Sequence, residues 1–239
     1  MTVSLSGQSV LIIGGSKFLG EAIARAATKN GAKVIVGARD EARAQALADE
    51  LPGASTIYID VTEEHSIRAA AKSLKEIDHI VVTAAAHHNV PVEELNRDRI
   101  IDAFDAKIVG PMLIAKHFAP LLPRTGSYLL FSGIAAWDPT PGLSVMGVTN
   151  GAVSFLASHL AKELAPIRVN AISPGIIDSG TWDGLDKTAR QELYEEATMG
   201  SLVGRVGTST DISATAVWIL ENSYLSGETI HIDGGSRHA

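Results

Sequence analysis

The stretch IGGSKFLGEAIA, residues 13–24, sets Gly14, Gly15 and Gly20 around a turn that leads straight into a helical pattern. Backbone N–H groups in such a turn, with the positive end of a helix dipole behind them, suit a pyrophosphate. Lys17 stands in the loop. Arg39 stands just past the second β-rich run, where dinucleotide folds often carry a carboxylate for the adenosine ribose 2′-hydroxyl. A fork-shaped cation in that place suits a 2′-phosphate, so the pair favours NADP(H) over NAD(H). Taken singly, each is an ordinary surface cation, and glycine turns after strands are common.

His87 and His88 follow the fourth β-rich run, at the sheet edge where ligands bind in alternating α/β folds. Either could serve as an acid; the plainer reading is a pair of solvated loop histidines. Adjacent histidines share one metal poorly and no cysteine or carboxylate completes a set, so no metal is expected. Lys107 lies four residues before Pro111, whose missing N–H leaves the Lys107 carbonyl unpaired and interrupts the helix. Its ammonium then either turns into the site or snorkels to water. Trp137 and Trp182 flank the same region, as apolar wall or as plain packing. By contrast, GLSVMGVTNGAVSFL, residues 142–156, reads as a helix opening with Met146 and Asn150 at i, i+4 on one face. It offers almost nothing that gives or takes a proton.

These residues need a scaffold. Short β-rich runs fall at 9–14, 33–38, 55–60, 79–84, 127–132, 167–173 and 229–233, mostly as continuous Val/Ile/Leu rather than alternating patterns. Parallel strands covered on both faces have that signature. Helical stretches such as EAIARAATKNGA and DEARAQALADEL lie between them, the second capped by Asp40. The alternation implies an α/β fold: a Rossmann-type, doubly wound parallel sheet of about seven strands with helices on both faces.

Composition bounds the function. A chain of 239 residues with no linker or low-complexity tract suits one large α/β domain over 1–239. An apolar share of 46% excludes a disordered chain, and a net charge of −7 argues against nucleic acid as a partner. The absence of cysteine removes disulfides and thiol nucleophiles. The first ten residues lack the basic start and apolar core of a signal peptide, and no apolar run approaches the roughly 18–20 residues of a membrane helix. A soluble, cytoplasmic protein with no membrane partner is expected.

Further motifs carry a resemblance. Asp60-Val61-Thr62 follows the third strand, IRVNAISPG spans 167–175, GRVGTSTDI spans 204–212 and SGETIHIDGG spans 226–235. In this order and spacing the chain resembles the short-chain dehydrogenase/reductase superfamily, of the 3-oxoacyl-ACP-reductase-like kind, over nearly its whole length. The resemblance implies a dinucleotide held by Gly14, Ser16, Lys17, Leu19, Arg39, Asp60, Val61, Ala84 and Ala85. Asn150, Pro174, Gly175, Ile177 and Ser179 would lie toward the nicotinamide. It also implies a substrate-covering segment at 180–203, a small-molecule substrate, and a homodimer or homotetramer packed through long helices, here including 148–165.

The departures concern the chemistry. The family works with Asn, Ser, Tyr and Lys; aligned on the motifs above, those positions hold Lys107, Gly133, Met146 and Asn150. Removing a positioned acid forfeits about 10²–10⁴ in rate. Asn150 could still bond ribose hydroxyls. Ser132, beside the Ser position, should point to the opposite face of its strand. Phe18 takes the place of a glycine and reads as helix packing, as in epimerase-like GGTxFLG loops. Two readings follow: an NADP(H)-dependent oxidoreductase of a small carbonyl or alcohol with a non-standard proton donor, or a cofactor-binding relative without hydride transfer. The latter would be a sensor, a regulatory subunit, or a catalyst of isomerisation, elimination or cyclisation.

Overall fold

The computed structural model describes residues 5–239. Seven strands form one parallel sheet: β1 (Ser9–Ile13), β2 (Lys33–Ala38), β3 (Ser55–Tyr58), β4 (His79–Val82), β5 (Ser127–Phe131), β6 (Arg168–Pro174) and, beyond the short strands below, β9 (Thr229–Ile232). Their order is β3-β2-β1-β4-β5-β6-β9. The chain winds outward from β1 to β3, then returns and winds the other way from β4. This reversal opens a crevice beyond the carboxyl ends of β1 and β4.

Each face of the sheet has its own core. Leu11 and Ile13 of β1 pack with helices α3 (Glu64–Ser73), α5 (Gly110–Phe118) and α6 (Ser144–Glu163) through Ile67, Ile114, Phe118 and Leu156. Val10 and Ile12 point the other way, toward α1 (Phe18–Lys29), α2 (Glu41–Glu50) and α8 (Ser209–Glu221), meeting Ile23, Leu47 and Ile219. Burial on both faces is why the strands read as unbroken apolar runs. Asp40 caps α2 as its sequence predicts, accepting from the Arg43 N–H.

The strands end mostly one or two residues sooner than their apolar runs, because the residues beyond take up other bonds. Asp60 turns away from β3 and accepts from the Thr62 N–H and hydroxyl. Thr83, past β4, donates to the carbonyls of Ile13 and Gly14. Two elements escaped the sequence pattern, β7 (Ile177–Asp178) and β8 (Gly207–Thr208), which pair with each other and frame the segment containing α7 (Lys187–Met199). Two residues of strand leave too little pattern to read.

The interruption expected before Pro111 is present. Between α4 (Arg97–Phe104) and α5 lies a π-helical turn, Asp105–Val109, with Lys107 at its centre. Gly110 follows, and a Cβ there would stand 2.5 Å from the Val61 carbonyl, so the helix must approach β3's end without a side chain.

Candidate active site

One cleft of about 1810 Å³ runs along the carboxyl edge of the sheet. Every cofactor position named from the sequence lines it: Gly14, Ser16, Lys17, Leu19, Arg39, Asp60, Val61, Ala84, Ala85, Asn150, Pro174, Gly175, Ile177 and Ser179. A smaller groove of about 720 Å³ along α7 holds none of them.

The glycine loop is built for close approach. A Cβ on Gly20 would stand 2.2 Å from the Gly14 carbonyl oxygen, and one on Gly14 would stand 2.7 Å from the Ala84 nitrogen. Loop, helix and β4 therefore meet backbone to backbone, leaving the first turn of α1 facing the cleft. The residue types present fit a dinucleotide: a glycine cradle that a single Cβ would fill, and Lys17, Arg39 and Arg43 at one end of the cleft.

Arg39 is largely solvent-exposed and lies 3.6 Å from Asp60. Burial opposes the charge of Asp60, but the Thr62 hydrogen bonds and the Arg39 charge outweigh it, so its pKa lies below the ordinary aspartate value. Arg43 went unnoticed in the sequence, although its position four residues after Arg39, on the first turn of α2, was a usable signal.

Phe18 is not packing inside the helix. It is 37% exposed, lines the cleft, and adopts a left-handed φ of 53°. Its place demands that backbone conformation, which glycine adopts freely and a phenylalanine at a cost of about 1–2 kcal/mol. Its ring lies against Gly180, where an added Cβ would stand 3.2 Å from Cδ1, and the Lys17 ammonium sits 5.0 Å from the ring centre.

At the other end Met146 and Asn150 both face the cleft from α6. Asn150 is 2% exposed, and its Oδ1 has no hydrogen-bond partner among the described residues. Its amide explains the glycine at 133. A Cβ on Gly133 would stand 2.6 Å from Asn150 Nδ2, so a serine there collides with the amide. Ser132 borders the cleft, but its side chain keeps the alternation of β5 and points with Leu130 toward α6. Its hydroxyl donates to the Asn150 carbonyl at 2.8 Å and is thereby committed to α6. Trp182 lines the cleft, whereas Trp137 is absent from its wall and stands edge-on to the His231 ring at 4.9 Å.

Lys107 is the feature the sequence left open, and most of its side chain is withdrawn from water. The residue is 7% exposed, lines the cleft, and has no hydrogen-bond or ion-pair partner among the described residues. Burial pulls its pKa down to about 8. The two histidines separate as well. His88 Nε2 accepts from the Asn96 N–H at 3.0 Å, which ties that ring to the start of α4. His87 is solvent-exposed, lines the cleft and has no such bond; crowding of its ring, then the charge of Lys107, push its pKa below the ordinary imidazole value.

A family model described as Enoyl-(Acyl carrier protein) reductase matches residues 15–237. The chain belongs to the short-chain dehydrogenase/reductase superfamily. Among its relatives, a sorbitol dehydrogenase from Cereibacter sphaeroides is 30% identical over 97% of this chain and 98% of its own. A small-chain dehydrogenase solved in complex with NADPH is 29% identical, with a TM-score of 0.86 over 97% of this chain and 99% of that one. The MalC Reductase/Diels-Alderase from Malbranchea aurantiaca is 25% identical, with a TM-score of 0.90 and full coverage of both chains. The fold and the oxidoreductase family therefore agree with the motifs. In this chain α6 brings Met146 and the Asn150 amide to the cleft, and Lys107 arrives from the π-turn.

Proposed function

We propose that this protein binds NADP(H) and reduces a small carbonyl compound, or oxidises the matching alcohol, with Lys107 as the proton donor. The observation that carries the reading is the Lys107 side chain, 7% exposed and without a partner among the described residues, on the wall of the dinucleotide cleft. Gly14, Gly15 and Gly20 would cradle the pyrophosphate, and Arg39, with Lys17 and Arg43, the 2′-phosphate. Asn150 Oδ1 would accept from a ribose hydroxyl, which supplies the donor that this buried atom lacks. Bound there, the cofactor supplies the hydride.

As charge develops on the carbonyl oxygen, Lys107 stabilises it and transfers its Nζ proton. A donor with a pKa of about 8 is mostly protonated near neutrality and far more acidic than an unperturbed lysine. The apolar lining at Met146, Leu143 and Trp182 excludes water around that transfer. Residues 180–203 cover the substrate as part of the same single domain.

The test is a Lys107→Met variant assayed with NADPH and a carbonyl panel. Turnover should fall by about 10²–10⁴ while NADPH affinity holds. Unchanged turnover would remove Lys107 from the chemistry. A second reading, cofactor binding without hydride transfer, is favoured by the amide wedged against Gly133 and by the MalC name, which joins reduction to a cycloaddition on this fold. Tight NADPH binding with no turnover across the panel would select it.

A further inference from the structure

Residues 180–203, which bring Thr181, Trp182, Leu193 and Glu196 to the cleft wall, are lightly held. Their helix α7 buries no residue. The far end is tied to the Gly234 carbonyl by the Val203 N–H at 3.2 Å and the Ser201 hydroxyl at 3.3 Å. Gly180 and Gly204, at the two ends, adopt left-handed φ of 86° and 69°, which glycine takes freely. A stretch with little buried surface between two such glycines is the part of a fold that opens most easily. What meets its near hinge comes from the opposite wall. The Cδ1–Cε1 edge of the Phe18 ring stands 3.2 and 3.4 Å from where a Gly180 Cβ would lie. That ring is spare to its own helix, whose buried residues are Gly20, Ile23, Ala24 and Ala27. The left-handed φ of Phe18 aims it out of the helix and across the cleft.

We propose that Phe18 is a positioning residue: its ring clasps the Gly180 hinge to the glycine loop, coupling dinucleotide binding to the seating of segment 180–203. The inference rests on the dinucleotide reading of the cleft and is independent of which group donates the proton. Phe18 opens α1, in the turn whose N–H groups would meet the pyrophosphate. A phosphate held there fixes the Phe18 backbone in its left-handed conformation, and with it the ring on which Gly180 rests. The hinge in turn places the substrate wall. The Trp182 indole N–H donates back to the Ile177 carbonyl at 3.2 Å, closing the turn around Gly180, so the position of the hinge sets the position of the indole. The coupling is reciprocal: a seated cover holds the loop in the shape that binds phosphate. Glycine at 18 would keep the loop's conformation and lose the clasp.

Hydrogen exchange of peptides from 180–203, with and without saturating NADPH, reads this coupling without turnover. In the wild type NADPH should slow exchange there by about fivefold or more. In Phe18→Gly, calorimetry should show NADPH still bound while that protection falls below about twofold. Phe18→Tyr, which keeps the ring edge, should retain it. Phe18→Leu covers the case in which glycine at 18 weakens the fold: it should lose the protection at an unchanged Tm. Undiminished protection in Phe18→Gly or Phe18→Leu overturns the clasp. A ring that merely stabilised the fold would change exchange equally with and without cofactor, and that result overturns it as well. If the wild type binds NADPH but shows no protection of 180–203, the clasp is wrong and the dinucleotide reading stands. If the wild type binds no NADPH, the dinucleotide reading is wrong and the clasp falls with it.

Discussion

Replacing Lys107 by methionine should make this protein more stable and less active at once. Methionine keeps the length and apolar stem of the side chain and removes only the ammonium. In the folded chain burial holds the lysine's pKa at about 8, against an ordinary value of 10.5. That displacement corresponds to roughly 3 kcal/mol of folding free energy, lost in keeping the charge out of water. The folded value lies below the unfolded one. Below about pH 8 the group is charged in both states and the whole penalty applies. Between about pH 8 and 10.5 the folded protein sheds the proton first and the penalty fades. Urea denaturation at pH 7 should therefore show Lys107→Met more stable by up to about 3 kcal/mol, a rise of roughly 6–12 °C in Tm for a chain of this size. At pH 10 the two proteins should nearly converge. A variant less stable than wild type at pH 7 would mean that the ammonium has a partner in the fold, and the argument for a free donor would collapse. An advantage equal at both pH values would trace it to packing instead of charge.

Other consequences are as direct. His79 is buried between Ser127 Oγ at 2.7 Å and Gln8 Oε1 at 3.0 Å, and burial, followed by the Arg168 charge, lowers its pKa to about 4. The unfolded chain thus binds the proton first, so stability should fall by about 3 kcal/mol as pH drops from about 6.5 to 4, a loss that His79→Asn should shrink; an unchanged pH profile in the variant would absolve this histidine. Gly133→Ser should destabilise by about 1–3 kcal/mol by pushing on the Asn150 amide, and Asn150→Ala in the same chain should recover part of that. Strict additivity of the two in denaturant would refute the contact. Arg39→Asp should weaken NADPH at least about tenfold more than NADH by calorimetry, and equal weakening would remove Arg39 from the 2′-phosphate.

The sheet was legible because its strands are buried on both faces, and Val/Ile/Leu runs such as SVLII and HIVV advertise that directly. The glycine loop was legible for a similar reason: Gly14 and Gly20 stand where no Cβ fits. The chemistry was harder to read, because it depends on where side chains end. Lys107 has the same letters whether its ammonium lies in water or in the cleft; Pro111 disclosed the break in the helix but not the direction of the side chain. Phe18 resembled packing because an aromatic at a helix start usually packs, and its positive φ is a property of the loop as a whole. The exclusion of a serine by Asn150 at Gly133 spans seventeen positions and needs coordinates.

The π-turn at Asp105–Val109 works as a splice between two helices whose faces are out of phase. One extra residue per turn rotates everything downstream, which is why α4 buries little beyond Ala103 while α5 buries Ile114, Ala115 and Phe118. The splice is fixed by main chain, through Gly110 against Val61 and the ring of Pro111, and asks nothing of the side chain at its centre. Position 107 is therefore a socket: the scaffold delivers to the cleft whatever group the codon specifies. One substitution at 107 changes the group presented to the cleft, whereas a serine at 133 also requires the Asn150 amide to move.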